Sequence, residues 1–316
     1  MKELKIGVLL WNMTPDWPTF ERAAVRADEL GYEHIWTWDH LHAIFGEPQQ
    51  PVIDGWMALG GLSKATHRAR LGLLVGANTF RNPGLVAKMA TTLDHMSGGR
   101  AILGLGGAWF EYEHTAHGFD FGTSPGERLR WLDESASAIR TVLDGGSATS
   151  VEGAHYSFSD LRQEPLPVQK RLPIMIGGSG EKKTLRTVAR YADMWNMSGP
   201  VEKVRHKIAV LDQHCADVGR DPSDIERTIS CKLFLRDSEA EARDLVARTM
   251  DQNGTPLARV ADDETFWPDT PERTAERLLE YRQLGVTTFI PEIPAPYDDE
   301  TLQRLIAEVK PLVDRD

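Results

Sequence analysis

Eight short apolar runs, each followed by a segment with helical spacing, constrain this chain more than any other feature. The runs at 4–10, 35–38, 69–75, 100–105, 172–176, 193–197, 228–235 and 286–290 have the length and apolar content of buried strands. Between the first two, Phe20, Ala23, Ala24, Ala27 and Leu30 recur at helical intervals within 16–30, and Gly31 supplies the stop. Further helices are predicted at 54–66, 85–96, 128–143, 181–191, 201–218, 238–250, 270–284 and 298–312. Strands that alternate with helices over short connections form a parallel sheet with helical crossovers. A doubly wound open sheet would satisfy that rule. The count of eight and the final strand–helix pair favour a closed α/β architecture, the (β/α)8 TIM barrel. No linker, low-complexity tract or short-period repeat interrupts it, so residues 1–316 are expected to be a single domain. Small insertions are expected near 107–126, 149–160 and 251–268. The first is read as a long loop, the second as a small hairpin.

Charge and cysteine usage narrow the function. Thirty-six basic residues stand against 47 acidic ones, a net charge of -11, and no dense basic block occurs. Nucleic acid and anionic membranes are therefore not expected partners. The two cysteines, Cys215 and Cys231, lack metal-ligand spacing and are too few for a disulfide framework. No leader-like opening and no apolar run of spanning length is present, so a cytoplasmic location is expected.

The barrel fold places chemistry at the C-terminal ends of its strands. At the end of the second strand stand Asp39, His40 and His42. A histidine exchanges protons near neutral pH, and a neighbouring carboxylate tunes it, which suits His40 to acid/base work. A loop histidine meeting solvent is the plain alternative. A metal reading of the His40/His42 pair needs further ligands from other strand ends, and the fifth and sixth strands offer Gly177-Gly178 and Asn196 instead. No metal is expected. The third strand leaves through Gly76-Ala77-Asn78, small and polar, suited to a cofactor edge; the same residues also fit a turn before Pro83.

Two glycine-rich strand ends follow. Gly104 to Ala108 lacks the dinucleotide fingerprint, yet gives a floor against which a flat ring could lie. Glu111, Glu113 and His114 come within reach of it. Gly177-Gly178-Ser179-Gly180 joins a strand to a helix, where exposed N–H groups can hold a phosphate; an ordinary tight turn would use the same glycines. Trp11, Trp38 and Trp109 fall near strand ends and could wall a pocket for a flat ligand, although tryptophans also fill cores. Further walls are expected from the loops at 45–51, 109–126 and 251–268.

Together these stretches resemble the luciferase-like monooxygenase superfamily of flavin and deazaflavin enzymes. The resemblance runs over nearly the whole chain: Ile35-Trp36-x-x-Asp39-His40, then Leu71-Gly72 to Val75 with Arg81-Asn82-Pro83, then Ser97-Gly98-Gly99-Arg100 through Gly106. Ile176-Gly177-Gly178-Ser179, Ala192-Asp193-x-Trp195-Asn196 and Gly219-Arg220-Asp221-Pro222 continue it. The pattern is most similar to the branch that uses coenzyme F420. That resemblance implies a barrel holding the deazaflavin at its mouth, with Asp39 beside the ring and His40 as the acid/base. It implies a strand-three bulge, with a non-proline cis peptide near Leu74-Val75, backing the ring. Ala77, Asn78, Gly106, Gly107 and Ala108 would line the cofactor, Gly177 to Gly180 would hold its phosphate, and Trp11, Trp38, Trp109 and Glu113 would face the substrate. In the sugar-phosphate dehydrogenase branch a catalytic glutamate follows the glycine floor; here that position is Trp109, which points to a more apolar substrate. The implied activity is hydride transfer between coenzyme F420 and a small organic substrate. The alternatives are an FMN-dependent monooxygenase, a metal-dependent hydrolase and a non-catalytic cofactor binder. A homodimer is the one macromolecular partnership the resemblance allows.

Overall fold

The computed structural model describes residues 3–314. Ten parallel strands follow one another as β1 (Lys5–Leu10), β2 (His34–Thr37), β3 (Arg70–Leu73), β4 (Gly76–Ala77), β5 (Ala101–Gly106), β6 (Ile174–Gly177), β7 (Met194–Met197), β8 (Glu226–Leu235), β9 (Phe266–Asp269) and β10 (Thr288–Ile293). The ring β1-β2-β3-β5-β6-β7-β8-β10 closes because β10 pairs with both β8 and β1. The fold is a TIM barrel, the closed alternative that the strand count favours over an open sheet. Around it run α1 (Trp17–Leu30), α2 (Gly55–Ala65), α3 (Pro83–Ser97), α4 (Glu111–His117), α5 (Pro125–Leu143) and α6 (Thr184–Tyr191). They are followed by α7 (Val201–Val218), α8 (Glu239–Gln252), α9 (Pro271–Gln283), α10 (Asp299–Arg304) and α11 (Lys310–Asp314), the last two joined by a π turn at Leu305–Val309.

Strand alternation sorts side chains into two layers. On β1, Ile6, Val8 and Leu10 face the helices, whereas Leu9 faces inward with Trp36, Ile102, Met175, Met194 and Ile290. Trp36 fills the barrel axis between strands that carry glycine opposite it. A Cβ on Gly72 would lie 2.6 Å from the Trp36 ring, and one on Gly7 3.2 Å from its Nε1. Burying such a side chain contributes roughly 1.5–3 kcal/mol, so these glycines are packing residues. Local signals set the helix ends: Asp16 accepts from Thr19 N–H at 2.8 Å, and Gly31 closes α1 with φ +95°.

Several expectations are corrected. The third strand ends at Leu73 and does not run unbroken to Val75, while the cis Leu74–Val75 peptide is the one the resemblance implies, and β4 resumes beside β5. The stretch expected as a loop at 107–126 holds helix α4. Its first turn carries Glu111 and Glu113, its last His114 and His117, and Gly118 caps it at φ +70°. Those charges suit the helix dipole, but seven residues show too little apolar periodicity to announce a helix. The 149–160 segment forms no strands; one bridge, Ala148 with Leu161, and a Ser150 N–H to Phe158 carbonyl bond hold its ends. Residues 251–268 contain the start of β9, which extends β8 outside the closed ring. Helix α6 begins at Thr184, three residues later than expected, after a turn.

Candidate active site

The residues after β2 are pinned to two other elements. Asp39 is buried, and its Oδ2 accepts from Ala77 N–H at 2.9 Å and from Arg81 Nη1 at 2.7 Å. Its Oδ1 is buried and has no partner among the described residues. Burial pushes the carboxyl up to about 6, with the Arg81 guanidinium pulling the other way. One of its two oxygens is left uncommitted. His40 lies 3.0 Å through Nδ1 from Glu113 Oε1. Glu113 sits on α4, is 1% exposed, and takes the Leu41 N–H on Oε2 at 2.9 Å. An acceptor so placed favours the His40 tautomer with its proton on Nδ1. Among the described residues no hydrogen bond engages Nε2. The rings of Trp38 and Trp109 meet the imidazole edge-on, at 6.2 and 5.7 Å between centroids.

These groups open onto a cavity of about 510 Å³ at the C-terminal mouth of the barrel. Asp39, His40, Trp38, Trp109 and Glu113 line it, as do Leu74, Val75 and Ala77 and the backbone at Gly106, Gly107, Ala108, Gly177 and Gly178. Glycine recurs there for a reason the sequence does not show. A Cβ on Gly104 would come 1.8 Å from the Leu73 carbonyl, one on Gly106 2.6 Å from Val75 Cγ2, and one on Gly177 3.0 Å from both Val75 γ-carbons. The glycines make room for the Val75 bulge, and that bulge forms part of the wall. Gly178, at φ +118°, adopts a conformation that side chains disfavour.

Other expected site residues stand elsewhere. Trp11 is fully buried behind the wall, stacked on Phe45 at 4.4 Å, and Phe45 itself faces the cavity. Asn78 is turned away: Nδ2 donates to Tyr156 Oη at 3.0 Å, and the Tyr156 hydroxyl donates to the Asn78 carbonyl at 2.8 Å. Ser179 and Gly180 lie outside the lining; among the described residues no chain acceptor is found for their N–H groups. His42 bonds Pro48 O and packs on Tyr112. His114 is fixed between Thr79 and Phe110, and Glu111 is exposed. Among the described residues no group of three His, Cys, Asp or Glu could hold a metal ion.

Two charged lining residues are absent from the sequence-based expectations, Lys232 on β8 and Glu292 on β10, as are Ile44, Leu129 and Thr184. The signal for Lys232 was present in the alternation. Thr228, Ser230 and Lys232 share one face of β8 while Ile229, Cys231 and Leu233 pack outward. Glu292 lies two residues beyond the predicted end of its strand.

The model of the family described as luciferase-like monooxygenase matches residues 5–288. An F420-dependent glucose-6-phosphate dehydrogenase of Microbacterium testaceum (strain StLB037) is 28% identical over 309 residues, covering 90% of this chain and 89% of its own length. An F420-dependent secondary alcohol dehydrogenase, solved with an F420–acetone adduct, superimposes with a TM-score of 0.82 at 16% identity, covering 98% of this chain and 99% of that one. The oxygenating constituent of 3,6-diketocamphane monooxygenase from Pseudomonas putida, in complex with FMN, gives 0.70 at 16% identity and covers 98% of each chain. At these identities the structural likeness establishes the fold.

Proposed function

Because this chain belongs to the luciferase-like monooxygenase family, we propose that it is an oxidoreductase that passes a hydride between coenzyme F420 and a small organic substrate. The observation that carries this is His40 in the cavity wall, with Nδ1 held by a buried carboxylate and Nε2 left for a ligand. The residues present fit a flat anionic cofactor. Asp39 Oδ1 is a buried acceptor without a partner among the described residues, the floor is backbone and Val75, and the N–H groups of Ser179 and Gly180 are available to a phosphate. When bound, the deazaflavin supplies the hydride acceptor or donor.

The chain's own residues supply position and proton transfer. During oxidation His40 Nε2 takes the substrate hydroxyl proton as the C–H electron pair departs as hydride. Glu113 then faces an imidazolium and stabilises it. During reduction the same nitrogen returns a proton to the carbonyl oxygen. Trp38 and Trp109 exclude water from one side, although Trp109 is 61% exposed at the rim. Among the described residues no helix is long and apolar enough to cross a membrane. Two buried, unpaired cysteines accord with a reducing cytoplasm.

The test is anaerobic incubation with coenzyme F420 and a panel of secondary alcohols, or with the reduced coenzyme and ketones, following the deazaflavin absorbance. Turnover on at least one pair supports the proposal. Oxygen uptake that depends on reduced FMN, with no deazaflavin turnover, would replace it by the monooxygenase chemistry.

A further inference from the structure

The cavity carries a second charged pair that this proton chemistry leaves unused. Lys232 and Glu292 come from adjacent strands, β8 and β10, and their side chains are 14% and 12% exposed. Lys232 Nζ lies 3.9 Å from Glu292 Oε2, too far for a hydrogen bond. Of the three ammonium N–H donors, one goes to Thr265 Oγ1 at 2.9 Å. The rings of Phe266 and Phe45 stand 5.3 and 5.9 Å from the same nitrogen. Among the described residues no hydrogen bond engages the Glu292 carboxylate. A fixed donor and a fixed acceptor therefore stand side by side, both with open bonding capacity, beside an aromatic wall.

Resting on the oxidoreductase reading above, we propose that this pair selects the substrate, taking an uncharged end group that offers an acceptor and a donor together. A primary carboxamide is the simplest such group, its carbonyl accepting from Lys232 and its N–H donating to Glu292. An anionic end would gain Lys232 only by standing next to the Glu292 carboxylate. A cationic end meets the converse penalty from Lys232. In a largely buried site salt screens either repulsion only weakly. The pair thus discriminates against phosphorylated and carboxylated substrates, and Phe45 offers a flat ring a stacking surface next to the polar end.

Benzamide, benzoate and benzamidine share one shape and differ in charge, and titration calorimetry on the full chain reads the discrimination directly. Benzamide is expected to bind at least tenfold more tightly than either ion. Glu292→Gln should shift the preference toward benzoate, and Lys232→Met toward benzamidine, each by at least tenfold. Opposite shifts of this kind cannot come from partial unfolding, and melting curves of both variants check that they fold. Preference for an ion, a ranking unmoved by either variant, or no binding of any probe overturns the proposal. Displacement of benzamide by saturating coenzyme F420 also overturns it, because the cofactor's own ring edge would then fill the pair. Cofactor binding is followed separately by its fluorescence: a chain that ignores coenzyme F420 yet ranks the probes as stated refutes the oxidoreductase reading and upholds the pair.

Discussion

The barrel interior holds a lysine–glutamate pair at each end, and the two are built differently. At the N-terminal end Lys5 Nζ donates to Glu226 at 2.7 Å, and the Thr288 hydroxyl donates to the same carboxylate. At the C-terminal mouth Lys232 and Glu292 stand 3.9 Å apart, and the Glu292 carboxylate accepts no hydrogen bond among the described residues. Strands β8 and β10 contribute at both ends: β8 carries Glu226 and Lys232, β10 carries Thr288 and Glu292, and β1 adds Lys5 at the N-terminal end. At the N-terminal, closed end the Glu226 carboxylate is satisfied within the chain, although Nδ1 of the buried His34 there has no partner among the described residues. The mouth leaves its pair open, together with Asp39 Oδ1 and His40 Nε2. An unmet hydrogen-bonding group in a buried site costs stability, so a cluster of them at one end of a fold marks where a ligand completes the structure.

The contrast can be broken from either end. The largest effect is expected at the mouth: His40→Ala should lower turnover by ~10²–10⁴ while coenzyme affinity changes a few fold, read from steady-state rates and cofactor titration. An unchanged rate would remove His40 from the chemistry. Glu113→Gln keeps the shape but not the charge; turnover should fall about 10- to 100-fold with little change in KM, and Glu113→Asp should restore part of it.

Acid stability separates the two ends by sign. Burial lowers His34, at the closed end, to about 4, below its ordinary 6.5. Its contribution is full above pH 6.5 and is lost as pH falls toward 4, about 3 kcal/mol in total. Asp39, at the open end, is raised from 3.8 to about 6, so its contribution is present below pH 3.8 and lost as pH rises through 6. The two oppose each other between pH 4 and 6. Asp39→Asn should therefore steepen the fall in unfolding free energy from pH 6.5 to 4, and His34→Gln should flatten it, in urea titrations across that range. Parallel curves for all three proteins would deny the opposition.

The smallest effects compare the pairs themselves. Glu226→Ala should cost about 1–2 kcal/mol, because it strips partners from Thr288 and from Lys5, the latter already 42% exposed. Glu292→Ala should cost less than about 0.5 kcal/mol, since no bond is lost. Equal costs in denaturant melts would mean the open pair is structural as well.

How far the sequence went follows the same division. Eight apolar runs with helical spacers were enough for a closed barrel, because period-2 and period-3.6 patterns survive in any strand with a core to face. The chemistry at Asp39 and His40 was legible because polar residues directly after a strand stand out. Helix α4 was not, since its aromatic and charged residues lack apolar periodicity, and with it went the contact between Glu113 and His40, 73 residues apart. Lys232 was lost inside a strand that looks uniformly buried, although its inward parity marks it. Gly104, Gly106 and Gly177 were visible as glycines, but their packing against Leu73 and Val75 depends on a backbone break at Leu74–Val75 that the family resemblance implied and residue periodicity did not.

The most direct measurement is a parallel titration of the purified chain with coenzyme F420 and with FMN, each followed by its own fluorescence polarisation, on the wild type and on Asp39→Ala. Tight binding of the deazaflavin in preference to FMN, weakened at least tenfold by Asp39→Ala, is the expected result. Preference for FMN, or deazaflavin binding indifferent to residue 39, would contradict an open barrel mouth completed by coenzyme F420.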